Sequence, residues 1–307
     1  MNKNKEYTPL PTDNKDIVKI DWDNYEAFTP NFIGRKVIDP IKIEDIMPYI
    51  NWKLFFKYWN YDEKFATVKN ISMCGHCKAQ WFAAFNEQDR LKAMEASKLY
   101  DDAFALLQRI IEVDAEYVKA VFVIAEAYSN NDTIYINNTP FEMLRQKVNG
   151  ETNEYLSLSD YIAPKSANKK DYIGAFTVTG GAGTEYLVNK YKSSGDNHSV
   201  LVLQSLFKVL AQGATEWLHE KVRKEYWGYS SNEELTIPAM FANKYSGMRA
   251  TVGSSAIPNQ AINLDLHKLL QSDEIYISVN DEGETSPTAS VSGFFFAHTN
   301  AKPFTAE

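Results

Sequence analysis

The sequence is poor in cysteine, in excess positive charge and in long apolar runs. Two cysteines in 307 residues are too few for the disulfide framework of a small secreted protein. Acidic residues outnumber basic ones by 40 to 32, and the formal net charge of −8 argues against a general binder of nucleic acid or of anionic membranes. Apolar runs such as Val121–Ala125 are far shorter than the ~20 residues of a membrane-spanning helix.

The first residues, MNKNKEYTPLPTDNKD, are polar and lack the apolar segment of a secretory signal peptide. These absences together predict a soluble, cytoplasmic protein with no nucleic-acid or membrane partner. What the sequence does contain is an ordinary globular composition, 44% apolar and 23% charged. Residues 1–40 are polar and punctuated by proline, so we expect an N-terminal arm that is partly irregular. No linker is apparent beyond residue 40.

Apolar periodicity predicts helices and strands that mix without a regular βαβ rhythm, which favours the α+β class. The long helix nearer the N-terminus has an apolar stripe that includes Leu91, Met94 and Val113. The predicted helices are a short buried one around 52–59, long ones over 91–113 and beyond His198, and a short one over 263–270. The predicted strands lie at 118–124, 132–137 and 171–179.

Three further predictions depend on local signals. Thr139-Pro140 has the composition of a helix start, with threonine as the cap and proline in the first turn. Ser231 and Glu234 have the spacing of a capping box and predict another short helix. EIYISV (274–279) and TASVSGFFFAHT (288–299) are expected to pair as a hairpin.

The Cys74-Gly75-His76-Cys77 motif is the sharpest local pattern, and it lies in a segment (60–87) that we expect to be irregular. A Cys-x-x-Cys pair is typical of disulfide oxidoreductases, in which neighbouring charge lowers the thiol pKa. No thioredoxin-type strand precedes it, and the other histidines are scattered singly, which argues against zinc. Two ordinary thiols in a loop are the favoured interpretation, and a redox role stays open.

The run Gly180-Gly181-Ala182-Gly183 follows a predicted strand. Glycine lets backbone amides approach an anion, so a phosphate-binding loop is one interpretation. The run lacks both the Lys-Ser/Thr of a P-loop and the spacing of a dinucleotide fingerprint. A turn that requires positive φ is therefore the favoured alternative.

Several segments keep their order and approximate spacing between about residues 40 and 304. They are YINWKLFF (49–56), LSDYIAPKSANKKDYIGAFTVTGG (158–181), WLHEKVRKEYWGY (217–229) with SNEEL (231–235), SGMRATVG (246–253) and ASVSGFFFAH (289–298). Together they closely resemble the corresponding blocks of the activation domain of cobalamin-dependent methionine synthase. Residues 60–90, with both cysteines, look inserted relative to that family.

The resemblance implies a single C-shaped α+β domain over residues 41–307, with a twisted antiparallel sheet flanked by helices. It implies S-adenosylmethionine as the ligand, bound in a shallow cleft, and cobalamin only through a partner protein. It also implies two partners. One is a cobalamin-binding methyltransferase subunit, which the domain caps; the other is a flavodoxin-like reductase, which supplies an electron before the methyl group of S-adenosylmethionine restores methylcobalamin.

The resemblance also carries over a candidate ligand set. Arg249 is expected to pair with the ligand carboxylate, and Gly253 to allow close approach of the backbone. Thr251 lies in the same SGMRATVG segment and is included with them. The remaining members of the set are Asn51, Pro303 and Phe304.

Several positions in this set and near it depart from the family pattern. Asn51, and Gln212 on the predicted long helix beyond His198, stand where the family has acidic residues. Ser254 replaces the tyrosine that closes the family's Arg-x-x-x-Gly-Tyr motif, and Pro303-Phe304 replaces a tyrosine pair. Because a charge-assisted hydrogen bond contributes roughly 1.5–3 kcal/mol, losing one would weaken binding roughly ten- to a hundred-fold.

Three functions therefore remain under comparison. The first is a freestanding activation-domain protein for the S-adenosylmethionine-linked reductive reactivation of a cobalamin-dependent methyltransferase, since no Asp-x-His-x-x-Gly cobalamin motif is present. The second is a degenerate homologue that no longer binds S-adenosylmethionine well and acts as an interaction module. The third is a thiol redox role through Cys74 and Cys77.

Overall fold

The computed structural model describes residues 20–71, 75–113, 116–146 and 155–306. Its helices are α1 (Ile43–Ile46), α2 (Trp52–Tyr58), α3 (Gly75–Ala83), α4 (Glu87–Glu112), α5 (Glu185–Ser193), α6 (Asn197–Lys221), α7 (Ile237–Phe241) and α8 (Ile262–Leu270). Its strands are β1 (Gly34–Ile38), β2 (Lys119–Asn130), β3 (Thr133–Ile136), β4 (Thr139–Glu142), β5 (Asp171–Thr179), β6 (Met248–Thr251), β7 (Ser278–Val279), β8 (Thr285–Ser286) and β9 (Ser290–Phe296). A π-helical turn, Val222–Tyr226, extends α6.

The main sheet is built around β2 and β5. The strand order is β4-β3-β2-β5-β9-β6, and each of these pairings is antiparallel. β1 pairs with residues 120–124 of β2 and β3 with residues 127–130, so the two strands share one edge of β2. β7 and β8 form a separate antiparallel hairpin. This mixture of helices and an antiparallel sheet confirms the predicted α+β class.

Part of the predicted N-terminal arm belongs to the sheet. β1 pairs with β2 because its extended backbone meets the part of that edge that β3 does not cover. Further upstream, the rings of Trp22 and Tyr25 pack against His298, with centroids 5.7 and 5.0 Å away. Residues 20–40 are therefore packed onto the fold over much of their length. The division of the chain at residue 40 stays a prediction.

Two apolar cores cover the two faces of the sheet. Phe122 and Ile124 of β2 belong to a core shared with α1, α2, α4 and α6. Val121 and Val123, which point to the opposite face, belong to a second core shared with α8. Because both faces are covered, β5 is buried along its whole length and its sequence is apolar on both sides.

The predicted helices are confirmed, but the buried face of α4 is not the apolar stripe that the sequence predicted. α2, α4, α6 and α8 lie where the periodicity places them. On α4, however, Leu91 and Met94 are 69% and 50% exposed, while the small side chains of Ala93 and Ala96 are fully buried. The 3₁₀ segment Glu63–Asn70 packs against α4 and is in contact with α2 as well. Close packing of this kind favours alanine at the buried positions.

Two helices that were predicted from local sequence signals do not begin where the signals placed them. Thr139-Pro140 begins β4, because Asn137 and Asn138 both adopt positive φ and form the tight turn of a β3–β4 hairpin. The helix expected after Ser231 begins later, at α7. Its cap is Thr236, whose side chain accepts a hydrogen bond from the backbone of Ala239, and Pro238 lies in its first turn.

The predicted hairpin of 274–279 with 288–299 was also wrong. β9 pairs with β5 and β6, and β7 pairs with the short β8 instead. β9 is buried over residues 292–296 and pairs on both edges, because it lies inside the sheet rather than at its margin. Hydrophobicity identified the strand, but it could not identify the partner.

The segment expected to be irregular contains helical structure. Besides the 3₁₀ segment, α3 spans Gly75–Ala83 and carries Cys77, which is half-buried. Cys74 lies outside the described residues, so the redox hypothesis for the pair stays a prediction. In the described ranges, no helix has the length and apolar character needed to cross a membrane.

The glycine run after β5 makes internal contacts rather than an anion site. The backbone N–H of Gly180 donates to Ala289 O at 2.8 Å, and that of Ala182 donates to Tyr117 O at 3.0 Å. The N–H of Gly181 donates to Thr179 Oγ1 at 3.1 Å. Gly183 has the positive φ, 68°, that the favoured interpretation expects. Three of the four amides of this run, those of Gly180, Gly181 and Ala182, are thus engaged within the fold, which argues against a phosphate loop.

Gly180 is expected to tolerate no side chain. A Cβ atom there would collide with Phe207 O and lie 2.7 Å from the backbone nitrogen of Ala211, both on α6. We predict that Gly180→Ala lowers the free energy of unfolding by about 1–3 kcal/mol, because the strand and helix must separate. Urea unfolding would measure this. Gly75→Ala is the matched control, since no described atom beyond its chain neighbours and its own helical turn lies within 4 Å of its Cβ position. Equal losses in both variants would contradict the steric explanation.

Candidate functional site

The main candidate site is a polar cleft beside the end of the sheet that carries β6. Its volume is about 650 Å³, which lies within the range of small-molecule sites. Walls come from α6, β6, β9, α8 and the β7–β8 hairpin. The lining consists largely of hydroxyl and amide side chains: Gln212, Thr251, Gln260, Asn263, Ser278, Asn280, Thr285, Ser286, Thr288, Ser290 and Ser292, together with Val252, Val279, Glu284 and Val291.

Two positions singled out in the sequence analysis, Gln212 on α6 and Thr251 on β6, line this cleft. Arg249 and Thr251 are two residues apart on a strand and so point to the same face. Gln212 and Glu216 are one turn apart on α6 and so lie on one side of the helix. Arg249 forms an ion pair with Glu216, so these faces of β6 and α6 are turned toward each other. Thr251 and Gln212 both line the cleft.

Arg249 is held mainly by the protein itself. Its side chain is 10% exposed and that of Glu216 is 12% exposed. Burial alone would lower the pKa of the guanidinium, but the Glu216 carboxylate outweighs it and raises that pKa above its ordinary value. Nη2 donates to Glu216, whereas Nη1 is buried and has no partner among the described residues. Nη1 is thus left unpaired among the described residues, and Arg249 itself is not one of the residues that line the cleft.

A second buried ion pair and a histidine lie next to Arg249. Arg223 Nε donates to Glu233 Oε2 at 2.9 Å, and their side chains are 1% and 8% exposed. His219 is fully buried and stacks on Phe295 with centroids 5.0 Å apart. Burial, followed by the charges of Arg223 and Arg249, lowers the pKa of His219 well below its usual value, so the ring is neutral. This network fixes the side of α6 from which Gln212 and Glu216 project.

Asn51 lies elsewhere on the surface. Its Oδ1 accepts a hydrogen bond from the backbone N–H of Leu54 at 3.2 Å and caps α2. It lines a smaller cavity of about 440 Å³ with Lys53, Lys57 and other residues, and not the polar cleft. The segment before it packs against α6, because Tyr49 O lies 3.1 Å from the position that a Cβ on Gly213 would take.

Comparison with known proteins identifies the family. A model of the vitamin B12-dependent methionine synthase activation domain matches residues 42–307. The chain belongs to this family. The crystal structure of the MetH reactivation domain bound to AdoHcy is similar, with a TM-score of 0.81 and 27% identity, over 95% of this chain and 86% of that chain. The resemblance predicted from the sequence is confirmed, as is the fold class that it implied.

In this activation domain the chain after β6 contacts the C-terminal segment. Gly253 has a φ of 84°, and open space lies where its Cβ would be. Ser255 Oγ donates to Phe304 O at 3.2 Å, and the backbone N–H of Ala306 donates to Ser255 O at 2.8 Å. The structure therefore brings the 253–255 turn together with the segment that contains Pro303 and Phe304. Their roles as ligand contacts stay predictions.

Sequence reasoning did not identify Glu284, the one charged side chain among the described residues that line the cleft of this activation domain. Asn280 orients it: Asn280 Nδ2 donates to Glu284 Oε2 at 2.9 Å, and Asn280 Oδ1 accepts from the backbone N–H of Glu284 at 2.8 Å. Asn263 links the hairpin to α8 through Gly283 O, 2.8 Å from its Nδ2. The Asp281-Glu282-Gly283-Glu284 run had only the composition of a loop, so nothing in it indicated a cleft residue.

Proposed function

We propose that this activation domain binds S-adenosylmethionine in the polar cleft and serves the reductive reactivation of a cobalamin-dependent methyltransferase. The observation that carries the proposal is the position of Gln212 and Thr251. Thr251 belongs to the candidate ligand set, Gln212 stands where the family has an acidic residue, and both line the cleft. The AdoHcy bound by the similar MetH reactivation domain supports a ligand of the same adenosyl type here.

The groups of the cleft suit a ligand that carries hydroxyl, amine and carboxylate groups. Its hydroxyl and amide side chains can both donate and accept hydrogen bonds. Asn263 lines the cleft, and its Oδ1 is buried with no partner among the described residues. Arg249 lies behind the lining on the same face of β6 as Thr251, and its Nη1 is likewise unpaired among those residues. These residues would bind and orient the ligand.

The remaining parts of the proposal concern partners. A cobalamin-binding methyltransferase subunit would carry the cobalamin, and a flavodoxin-like reductase would supply the electron. The bound ligand would supply the methyl group that returns the cofactor to its active form. The task of this chain's residues is to hold the sulfonium so that its methyl group faces the partner, which agrees with a cleft that opens to solvent beside the β7–β8 hairpin.

Calorimetric titration with S-adenosylmethionine and, separately, with AdoHcy tests the binding step. We predict saturable binding of S-adenosylmethionine at one site, because the cleft offers one set of converging polar groups. Thr251→Val, a change of similar volume that removes the hydroxyl, is expected to weaken binding about three- to tenfold. Thr67→Val is the matched control, since it makes the same change on the 3₁₀ segment at a residue that does not line the cleft. An equal loss of affinity in both variants would contradict the assignment of Thr251 to the site.

Reactivation is tested with the full chain, a cobalamin-dependent methyltransferase that has lost activity by oxidation, a flavodoxin-type reductase and S-adenosylmethionine. Recovery of turnover that requires all of the components would support the proposal. If the protein binds neither adenosyl ligand, the alternative gains weight. The domain would then be an interaction module that keeps the fold, in agreement with the amides at positions 51 and 212.

A further inference from the structure

We propose that Glu284 is the specificity residue of the cleft and that its carboxylate faces the sulfonium of S-adenosylmethionine. The inference rests on the proposed function and adds a residue to it. It means that the sulfonium charge of the ligand, as distinct from its ammonium, is met from the β7–β8 hairpin and not from α2 or α6. The cleft would then favour the charged sulfonium over the neutral thioether of AdoHcy.

The described lining of the cleft contains very little charge. Among the described lining residues, Glu284 carries the only charge, and the positions expected to be acidic hold the amides of Asn51 and Gln212. An amide oxygen carries only a partial charge and cannot offer a cation the attraction of a carboxylate. If the ligand is a cation at its centre, the carboxylate available to it from this lining is that of Glu284.

Glu284 is held in place by neighbouring side chains and by the turn that carries it. Asn280 contacts it twice, at the carboxylate and at the backbone, and α8 is joined to the same turn through Asn263 and Gly283. Gly283 has a φ of 83° and packs against the backbone of Gln260 and Ala261, so the turn cannot shift freely toward α8. An oriented carboxylate loses less conformational freedom on binding than a free one.

Glu284 is placed to meet the middle of the ligand rather than its amino-acid end. The ligand carboxylate, and the ammonium bonded to the same carbon, would lie toward the wall formed by α6 and β6, behind which the Nη1 of Arg249 has no partner among the described residues. Glu284 belongs to a different wall and is exposed. The methyl group must leave toward another protein, so the sulfonium has to lie where the cleft opens, and the exposed carboxylate suits that place.

The test compares the affinities for S-adenosylmethionine and AdoHcy in the full chain, in Glu284→Gln and in Glu282→Gln. Glutamine keeps an oxygen that can accept from Asn280 while it removes the charge. Glu282→Gln is the matched control, because it makes the same change in net charge in the same turn and Glu282 does not line the cleft. Sinefungin, which has a charged amine in place of the methylated sulfur, is a further probe.

We expect Glu284→Gln to weaken the binding of S-adenosylmethionine and of sinefungin about five- to tenfold, and the binding of AdoHcy less than twofold. Glu282→Gln should leave all three affinities unchanged. An equal loss for all three ligands would overturn the assignment, because the carboxylate would then face a group that they share. An unchanged preference in Glu284→Gln would overturn it as well. If the unaltered chain binds none of the ligands, the proposed function itself fails, and that result is distinct from both.

Discussion

Arg249→Ala is expected to lower the free energy of unfolding by about 3–5 kcal/mol, because it leaves the Glu216 carboxylate buried without its partner. Neither side chain is more than 12% exposed, and the pair joins β6 to α6 behind the cleft. An exposed ion pair would contribute about 1 kcal/mol or less, so burial is what makes the expected effect large. Chemical unfolding of the full chain, followed by circular dichroism, would measure it.

The controls separate a structural role from a ligand role. Arg249→Met combined with Glu216→Leu replaces both charges with apolar groups and should recover most of the lost stability, because replacing a whole buried pair is often neutral. Thr251→Val should leave stability nearly unchanged while it alters ligand affinity. Arg249→Ala with full stability and no ligand binding would contradict our description and would show that the guanidinium serves the ligand alone.

Arg249 has a structural role in addition to the ligand contact expected from the sequence, and this affects how ligand experiments are interpreted. From the sequence, Arg249 was simply the residue expected to pair with the ligand carboxylate. In the structure it belongs to a buried network that includes Glu216, His219 and the Arg223–Glu233 pair. Loss of binding in an Arg249 variant therefore has to be measured under conditions in which the variant is folded. Its Nη1 donor remains the atom through which a ligand contact would act.

A helix or strand could be predicted from the sequence where the spacing of its own apolar residues determines it. The apolar stripe of α6 and the β-branched and aromatic run of β2 each follow from the spacing of consecutive residues, and the structure confirms both. The Thr139-Pro140 signal failed because the neighbouring Asn137-Asn138 turn and the pairing with β3 outweigh a two-residue preference. Where pairing decides the structure, residues outside the segment have to be known.

The site could be predicted only in part for the same reason. Family resemblance supplied Arg249, Thr251 and Gln212, and register explains why the last two meet. It could not supply the Arg249–Glu216 pair, whose members are 33 residues apart. Nor could it supply Glu284, because the hairpin that holds it depends on hydrogen bonds from Asn280 and Asn263.

Gln212→Glu is expected to raise the affinity for S-adenosylmethionine about ten- to a hundred-fold, since it adds a charge-assisted contact of roughly 1.5–3 kcal/mol to a ligand that carries two cations. Gln212 is half-buried and lines the cleft next to Thr251, so the new carboxylate would face the ligand. Repulsion by Glu216, one turn away, is limited because Arg249 neutralises that carboxylate. Calorimetric titration of the variant would measure the gain.

Asn51→Asp is the informative comparison for Gln212→Glu. It introduces a carboxylate at the second position where the family has an acidic residue, but outside the polar cleft. Aspartate caps a helix as well as asparagine does, so the fold should be unaffected. The Oδ1 of residue 51 already accepts from Leu54, and Asn51 lines the separate smaller cavity, so we expect a gain of less than about threefold. A larger gain from Asn51→Asp than from Gln212→Glu would mean that the ammonium of the ligand lies at the start of α2 and not at the α6–β6 wall. It would also mean that the smaller cavity, and not the polar cleft, holds that end of the ligand.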